Sequence, residues 1–98
     1  MRKESRLIMT AFIDGKPARA ARTRTNGKTV WLHGNAIAWR DSDGTIWATL
    51  AGWPTVTTRE RLNALCDLLG VRRGFGQRDY RQYYDGSEIG SRETVMIK

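Results

Sequence analysis

The stretch WLHGNAIAWRDSDGTIW, residues 31–47, decides the fold because two turn signals divide it into short strands. Gly34-Asn35 is typical of a two-residue hairpin turn, and the run DSDG at residues 41–44 is a second turn. Three of the four tryptophans lie in this stretch at a spacing of eight residues, which mainly reflects the repeat length of the hairpins. The pattern predicts an antiparallel meander with strands over residues 28–33, 36–40 and 45–50.

Pairing across the first turn separates the side chains of the meander into two faces, because successive residues of a strand point to opposite sides of a sheet. We expect an even number of residues in the second loop, since an odd number would mix polar and apolar side chains on one face. The predicted core face carries Val30, Leu32, Ile37, Trp39, Ile46, Ala48 and Leu50. The opposite face carries Trp31, His33, Ala36, Ala38, Arg40, Trp47 and Thr49. There, Trp31, Ala38 and Trp47 are expected to form one row, with Arg40 against the ring of Trp47.

Residues 57–70 carry the pattern of an amphipathic helix. Thr57 followed by Glu60 matches a capping box, and Gly70 is typical of a helix end. The apolar stripe that is expected to cover the core face consists of Leu62, Leu65, Cys66 and Leu69. On this stripe, Cys66 is expected to pack in the core rather than to act as a nucleophile. The outward positions are Glu60, Asn63, Ala64 and Asp67, and their lack of positive charge disfavours a DNA-recognition helix.

The C-terminal residues predict a further hairpin around residues 85–88, with Val95 and Ile97 on one side of the last strand. This hairpin, or the apolar segment LIMTAFI at residues 7–13, could cover the face that carries Trp31 and Trp47. A covered face would make these tryptophans core residues, and an open face would make them a binding surface. The sequence therefore predicts an α+β fold: an antiparallel β-meander with one main amphipathic helix packed on it, plus a C-terminal β-hairpin.

The length of 98 residues predicts a single small domain over residues 1–98. The net charge of +7 is concentrated in residues 1–28, which hold eight Lys and Arg against two acidic residues. We interpret this segment as a basic, partly flexible N-terminal arm. One cysteine and one histidine can form neither an internal disulfide nor a structural zinc site. Without a secretion signal or an apolar run of about 20 residues, the chain is expected to be neither secreted nor bound to a membrane.

The stretch VRRGFGQRDY, residues 71–80, matches five of the eight positions of the RNA-recognition strand motif. Gln77 and Arg78 stand where large apolar residues belong, so that fold is not expected. Gly74 and Gly76 alone lack the third glycine and the Lys-Ser/Thr pair of a phosphate-binding loop. We therefore interpret the stretch as a basic, glycine-rich loop that can touch phosphate.

The residue types that support catalysis are sparse in this chain. His33 is the single histidine and lies at a hairpin turn, where no serine or cysteine is placed to pair with it. Asp41 and Asp43 fall in a turn, where aspartate typically hydrogen-bonds to the backbone. The chain is therefore expected not to be an enzyme and to use neither a cofactor nor a metal.

Residues 29–66 contain a leucine-histidine-glycine turn at 32–34, a Gly-Trp-Pro run at 52–54, and the helix start TTRERLN at 57–63. This pattern resembles a family of short bacteriophage proteins of uncharacterised function. The resemblance implies a phage origin, and hence the cytoplasm of the host cell as the location, but no activity. Within the helix start, Arg61 is expected to leave its guanidinium free at the sheet edge. Asn63 has no evident structural need and is a functional candidate.

The basic and aromatic residues predict a small nucleic-acid-binding protein, largely independent of sequence, with cations on phosphates and aromatic rings on bases. The candidate nucleic-acid-binding residues are Arg19, Arg22, Arg24, Lys28, Trp31, Arg40, Trp47, Arg72, Arg73, Arg78 and Tyr83. The alternative is a phage accessory protein that binds an acidic host protein in a host-takeover or inhibitory role. Both functions use the same residues, so the sequence leaves the partner (DNA, RNA or protein) and the oligomeric state open.

Overall fold

The structure, a computed structural model, describes residues 2–97. Along this part of the chain the elements are α1 (Lys3–Ile13), β1 (Ala18–Ala20), β2 (Thr23–Thr25), β3 (Thr29–Leu32), β4 (Asn35–Arg40), β5 (Ile46–Thr49), α2 (Val56–Leu69), β6 (Phe75–Arg78), β7 (Arg81–Tyr84), β8 (Ser87–Ile89) and β9 (Thr94–Met96). Six strands form one antiparallel sheet in the order β1-β2-β3-β4-β5-β9, and β6-β7-β8 form a second sheet of three strands. The predicted α+β fold with a C-terminal hairpin is therefore confirmed.

The predicted meander forms the centre of the six-stranded sheet. Its strands are β3, β4 and β5, each within a residue or so of the predicted range. β1 and β2 extend the sheet on one side, and β9 pairs with β5 on the other. The last strand is thus part of the main sheet, whereas the hairpin around residues 85–88 joins β7 to β8 in the smaller one.

Helix α1 forms because its apolar residues recur at helical spacing. The many charged residues around them obscure this pattern in the sequence. The buried side chains of the helix are Ser5, Ile8, Met9 and Phe12, which recur at the spacing i, i+3, i+4 and i+7 of one helix side. Residues 3–25, which the sequence assigns to a basic arm, form α1, β1 and β2. Of the cations in this segment, Lys3 and Arg6 lie on the helix and Arg19 and Arg24 on the strands, whereas Lys16 and Arg22 lie in the connections.

The six-stranded sheet has one covered face and one open face. Both helices pack on the core face, which is defined by the buried residues Thr23, Thr25, Val30, Leu32, Ile37, Ala38, Ile46 and Ala48. The opposite side, the outer face, is defined by Arg19, Arg24, Thr29, Trp31, Ala36, Trp39, Trp47 and Met96. The LIMTAFI segment lies in α1 on the core face, and the β7–β8 hairpin belongs to the sheet that contacts α2. Neither segment covers the outer face, where Trp31 and Trp47 are half-buried.

The hairpin between β3 and β4 turns one residue earlier than predicted. Its turn residues are His33 and Gly34, with φ of 51° and 82°, rather than Gly34 and Asn35. Two consecutive residues with positive φ form the tight turn that suits the twist of a hairpin. Leu32 consequently pairs with Asn35.

A β-bulge then changes which residues of β4 face the core. Val30 pairs with Ala38 rather than with Trp39, and the register shifts by one residue between Val30 and Trp31. Ile37 and Ala38 are therefore both buried. Trp39 turns to the outer face, so the prediction that Trp39 lies in the core is wrong. The prediction that Ala38 lies on the opposite face is wrong as well.

The loop between β4 and β5 has an odd rather than an even number of residues. Arg40 pairs with Ile46 across residues 41–45, and Trp39 pairs with Trp47. This second deviation offsets the bulge, so Ile46 still faces the core as predicted. The predicted row of Trp31 and Trp47 around an alanine is replaced by a direct Trp39–Trp47 pair.

Helix α2 begins with a different cap from the one predicted. Thr55 is the N-cap residue, and its hydroxyl accepts a hydrogen bond from the Thr58 N–H at 3.2 Å. The predicted capping box of Thr57 and Glu60 is therefore wrong. Gly70 ends the helix in the left-handed conformation, as predicted.

The side of α2 away from α1 carries the three-stranded sheet, so more of the helix is buried than a single stripe. Ala64, predicted to point outward, is buried. Asn63, also predicted to point outward, clamps the start of β6: its Nδ2 donates to the Phe75 carbonyl at 2.9 Å, and its Oδ1 accepts from the Phe75 N–H at 2.7 Å. Asn63 thus has a structural role, and the loop predicted over residues 71–80 contains a strand.

Arg61 is buried between the helices and the sheet rather than free at the sheet edge, with an exposed fraction of 6%. Its guanidinium donates to Thr23 Oγ1 at 3.0 Å and to Ser5 Oγ at 2.6 Å. It also forms an ion pair with the Glu60 carboxylate. One side chain therefore ties α2 to both α1 and β2.

Candidate functional site

The outer face combines aromatic rings with arginines in two rows that run across the strands. One row consists of Arg19, Arg24, Trp31 and Ala36, from β1 to β4. The next consists of Thr29, Trp39, Trp47 and Met96, from β3 to β9. The tryptophans are half-buried, whereas both arginines and Met96 are exposed. Positive charge is therefore concentrated at one side of the face and apolar surface at the other.

Arg24 and Trp31 form the contact between charge and ring on this face. The two residues are cross-strand partners, and the Arg24 guanidinium carbon lies 4.0 Å from the centroid of the Trp31 ring. This distance is that of a cation–π contact between the guanidinium and the indole. The guanidinium keeps an exposed edge that can donate to an anion, because Arg24 remains exposed.

Trp47 is held by the turn that precedes its strand. Its Nε1 donates to Asp41 Oδ2 at 2.7 Å. The other oxygen of Asp41 accepts from the N–H groups of Asp43 and Thr45, as the turn interpretation predicts. Hydrogen bonds with Asp41 and Thr45 also lower the pKa of Asp43 to about 2. The indole of Trp47 is therefore fixed in orientation across from Trp39.

Arg40 lies on the core side and not against Trp47, which corrects the sequence prediction. Its guanidinium donates to the Gly27 carbonyl at 2.8 Å and to the Phe12 carbonyl at 3.0 Å. It also lies 4.8 Å from the centroid of the Phe12 ring. Arg40 thus binds the carboxyl end of α1, where a cation is favoured by the helix dipole.

Two further N-terminal cations lie in turns at the ends of β2. Arg22 is exposed in the turn between β1 and β2, and Lys28 is exposed in the turn between β2 and β3. Lys28 lines a hollow together with Gly15, Gly27 and Arg40, beside the carboxyl end of α1. Of the predicted residues, the structure therefore brings Arg19, Arg24, Trp31 and Trp47 onto the outer face.

A second group of predicted residues meets on the three-stranded sheet. Arg73, Arg78 and Tyr83 line a hollow of about 250 Å³, whose remaining lining is Gly74, Gly76 and Gly86. Gly76 is the cross-strand partner of Tyr83. Arg72 lies in a neighbouring hollow that also contains Arg73 and Met96.

A further hollow has a different chemical character. It measures about 390 Å³, lies between the end of the six-stranded sheet and the start of α2, and contains no Lys or Arg among its lining residues. Its apolar walls include Leu32, Ile37, Leu50 and Trp53. This hollow is therefore unsuited to a polyanion.

The chain's thiol and one of its phenols are held neutral. Burial, followed by the nearby carboxylates of Asp67 and Asp85, raises the pKa of the Cys66 thiol to about 12. Burial also raises the pKa of Tyr84 to about 12. Within residues 2–97, no three His, Cys, Asp or Glu side chains come together as metal ligands. Neither helix in that range is long and apolar enough to cross a membrane.

Two residues of the outer face, Trp39 and Met96, escape the sequence prediction. Trp39 reaches this face because of the bulge in β4, which no turn signal marks. Met96 reaches it because β9 pairs with β5, a contact between strands that are distant in sequence. The alternation of Val95 and Ile97 on the other side of the last strand is the one signal that places Met96 outward.

A sheet with an open, aromatic and basic face, backed by two helices, defines a small α+β protein with a surface suited to stacking and to anions. The chain belongs to the Kyanoviridae Gp96 protein family, a family of phage proteins, because the sequence model of that family matches residues 1–96. The resemblance to a family of short phage proteins is therefore confirmed. No curated protein and no solved structure matches the chain.

Proposed function

We propose that this phage protein binds nucleic acid, largely independently of sequence, through the outer face of its six-stranded sheet. One observation carries the proposal: three tryptophans and two exposed arginines share a sheet face that neither helix covers. Large aromatic side chains on an open face reduce solubility unless a ligand uses them. Arginines on the same face favour an anionic ligand, and the aromatic rings favour a ligand with flat groups.

The chemistry of the face fits a polyanion that also presents bases. The guanidinium groups of Arg19 and Arg24 can pair with phosphate oxygens. Indole rings stack on any base, so Trp31, Trp39 and Trp47 would contribute affinity without sequence preference. The net charge of +7 adds a general attraction to nucleic acid.

The outward side of α2 is a poorer place for phosphate. A groove along this side contains the carboxylates of Glu60 and Asp67 against the single cation Arg59. The Arg59 guanidinium is already hydrogen-bonded to the Pro54 carbonyl and to Gln77. The charge distribution therefore favours the outer face over the helix.

Tryptophan fluorescence during titration with single-stranded and double-stranded oligonucleotides of mixed sequence tests the proposal. Replacing Trp39 by leucine should weaken binding by about 1–3 kcal/mol, the usual contribution of a stacked base. Trp53→Leu is the matched control, because Trp53 is 58% exposed but lies in the connection between β5 and α2, away from the outer face. The control variant should bind like the wild-type protein.

Salt dependence tests the phosphate contacts separately. If Arg19 and Arg24 each neutralise one phosphate of a single strand, raising the salt from about 50 to about 200 mM should weaken binding about sevenfold. Arg24→Gln should reduce this dependence. Lys3→Gln, which removes the same charge from an exposed position of α1, should leave it unchanged.

Absence of saturable binding to either oligonucleotide at about 50 mM salt refutes the proposal. Equal losses for Trp39→Leu and Trp53→Leu would also contradict it, because the outer face would then have no special role. The alternative of an acidic host-protein partner would take its place, with Trp and Arg as the anchoring residue types.

A further inference from the structure

The hollow on the three-stranded sheet has the composition of a phosphate subsite. Arg73 and Arg78 supply two cations, and its lining contains no acidic residue. Gly76 leaves its backbone open to close approach by a ligand, whereas Gly74 is packed against Asn63 and Gly86 against the Arg73 guanidinium. Tyr83 lies across the strand pair from Gly76, so its ring has no opposing side chain at that position. Cations, accessible backbone and an aromatic ring are the groups that bind a nucleotide.

A second hollow connects this subsite with the outer face. It measures about 570 Å³ and is lined by Val71, Arg72, Arg73, Tyr84, Asp85, Met96 and Ile97. It shares Arg73 with the phosphate subsite and Met96 with the outer face, where Met96 pairs with Trp47. The two hollows therefore adjoin each other, and the second one reaches β9, the edge strand of the large sheet.

We infer that the nucleic-acid ligand is a single strand that stacks on the tryptophans of the outer face, crosses β9 and places a phosphate between Arg73 and Arg78. This inference rests on the proposed function and specifies its substrate class. It makes the three-stranded sheet a second binding subsite, with Arg73 shared between the connecting hollow and the subsite.

The charges along this path favour a phosphodiester backbone. In the connecting hollow, Arg72 and Arg73 outweigh the one carboxylate, Asp85. On the three-stranded sheet, the nearest acid across from Tyr83 is Glu88, which forms an exposed ion pair with Arg81 at 3.7 Å. The lining of the two hollows therefore carries a net positive charge.

The shape of the path favours a single strand over a duplex. Six strands at a spacing of about 4.8 Å make the large sheet about 24 Å wide, and the path then passes over its edge onto a separate sheet. Duplex DNA is stiff over about 150 base pairs, so following such a path over a few nucleotides would require costly bending. A single strand bends freely and exposes its bases for stacking.

The length dependence of binding tests the inference. Wild-type protein and the Arg73→Gln/Arg78→Gln variant would be titrated with oligo-dT and oligo-U of about 4 and about 12 nucleotides, which span the usual range of single-strand sites. With the longer strands, the variant should bind more weakly than the wild type at about 50 mM salt. Its further loss of affinity between about 50 and 200 mM should be about threefold smaller, since one phosphate contact contributes about threefold over that range. Binding of the shorter strands, which the outer face alone can hold, should be unchanged.

Two controls keep the result interpretable. The single variant Arg78→Gln changes one exposed residue and should weaken binding of the longer strand less than the double variant does. Lys3→Gln, on α1, should cause no loss. Circular dichroism of each variant verifies that the fold is retained.

The possible failures are distinguishable. A wild-type protein that binds no oligonucleotide refutes the proposed function itself. A variant that binds both lengths as the wild type does, or that loses equal affinity for both, overturns the second subsite while the outer face stands. Tighter binding of duplex than of single strand also overturns the inference.

Discussion

Replacement of Arg61 by methionine is expected to destabilise the protein strongly, although Arg61 lies far from the outer face. The methionine side chain can fill the space of the arginine stem but cannot donate a hydrogen bond. Thr23 Oγ1 loses its donor, and the Glu60 carboxylate loses its close ion pair with Arg61, keeping only the exposed Arg2 guanidinium at 3.9 Å. The second oxygen of Glu60 is buried and already without a hydrogen bond.

The expected cost follows from how far this cluster is buried. Breaking a fully buried ion pair costs about 3–5 kcal/mol, because one charge remains without a partner. The Arg61 side chain is 7% exposed and that of Glu60 is 20% exposed, so water can partly solvate the abandoned carboxylate. We therefore expect a loss of about 2–4 kcal/mol, a large part of the about 5–15 kcal/mol that stabilises a typical domain.

The measurement is urea unfolding at neutral pH, followed by circular dichroism, on the wild type, on Arg61→Met and on the double variant Glu60→Gln/Arg61→Met. Glutamine keeps an acceptor for the Ser5 hydroxyl but removes the poorly compensated charge of the carboxylate. The double variant should consequently be more stable than Arg61→Met alone. The reasoning is wrong if Arg61→Met costs less than about 1 kcal/mol, or if the double variant is the less stable of the two.

Three further predictions concern other contacts. Asn63→Ala leaves two buried backbone groups at the start of β6 without partners, so urea unfolding should show a loss of about 2–4 kcal/mol. Gly27→Ala should be destabilised more than Gly44→Ala in thermal unfolding: both residues have positive φ, but only at position 27 would a Cβ lie 2.5 Å from the backbone of Gly15. If the two variants unfold at the same temperature, close packing at Gly27 does not cause the destabilisation. Burial raises the pKa of Cys66 from 9.0 to about 12, so the contribution of the neutral thiol is complete below pH 9 and is lost as the pH rises towards 12. Stability should therefore fall there by about 1 kcal/mol per pH unit, and Cys66→Ala should show a shallower fall.

The strands of the meander could be predicted because glycine and aspartate mark their turns. The face on which each tryptophan lies could not be predicted, because it depends on whether an odd or an even number of residues separates the paired positions. A bulge such as that at Ile37 adds one residue without a sequence signal, and the odd loop over residues 41–45 changes the parity again. Since the two shifts offset each other, most of the core was predicted correctly while Trp39 was placed on the wrong face.

Other errors arise from contacts between segments distant in sequence. Nothing local indicates that Asn63 binds the backbone of Phe75, or that Arg61 reaches Thr23 and Ser5. Helix α1 is a different case, because its apolar spacing was present in the sequence and was obscured by the surrounding charge. The candidate site followed the same rule: residue types were predictable, but their grouping into two connected surfaces required the tertiary fold.

Because of the bulge at Ile37, two distant parts of the molecule depend on the number of residues in β4. Deletion of one residue there would rotate the rest of the strand by half a turn, bringing Trp39 beneath the helices and Arg40 out to solvent. The first change would remove a ring from the outer face, and the second would release the carboxyl end of α1 from its cation. Substitutions at Ile37 that keep an apolar side chain should be tolerated far better than any change of length. In this protein the aromatic surface and the anchoring of the first helix therefore depend on the same single insertion.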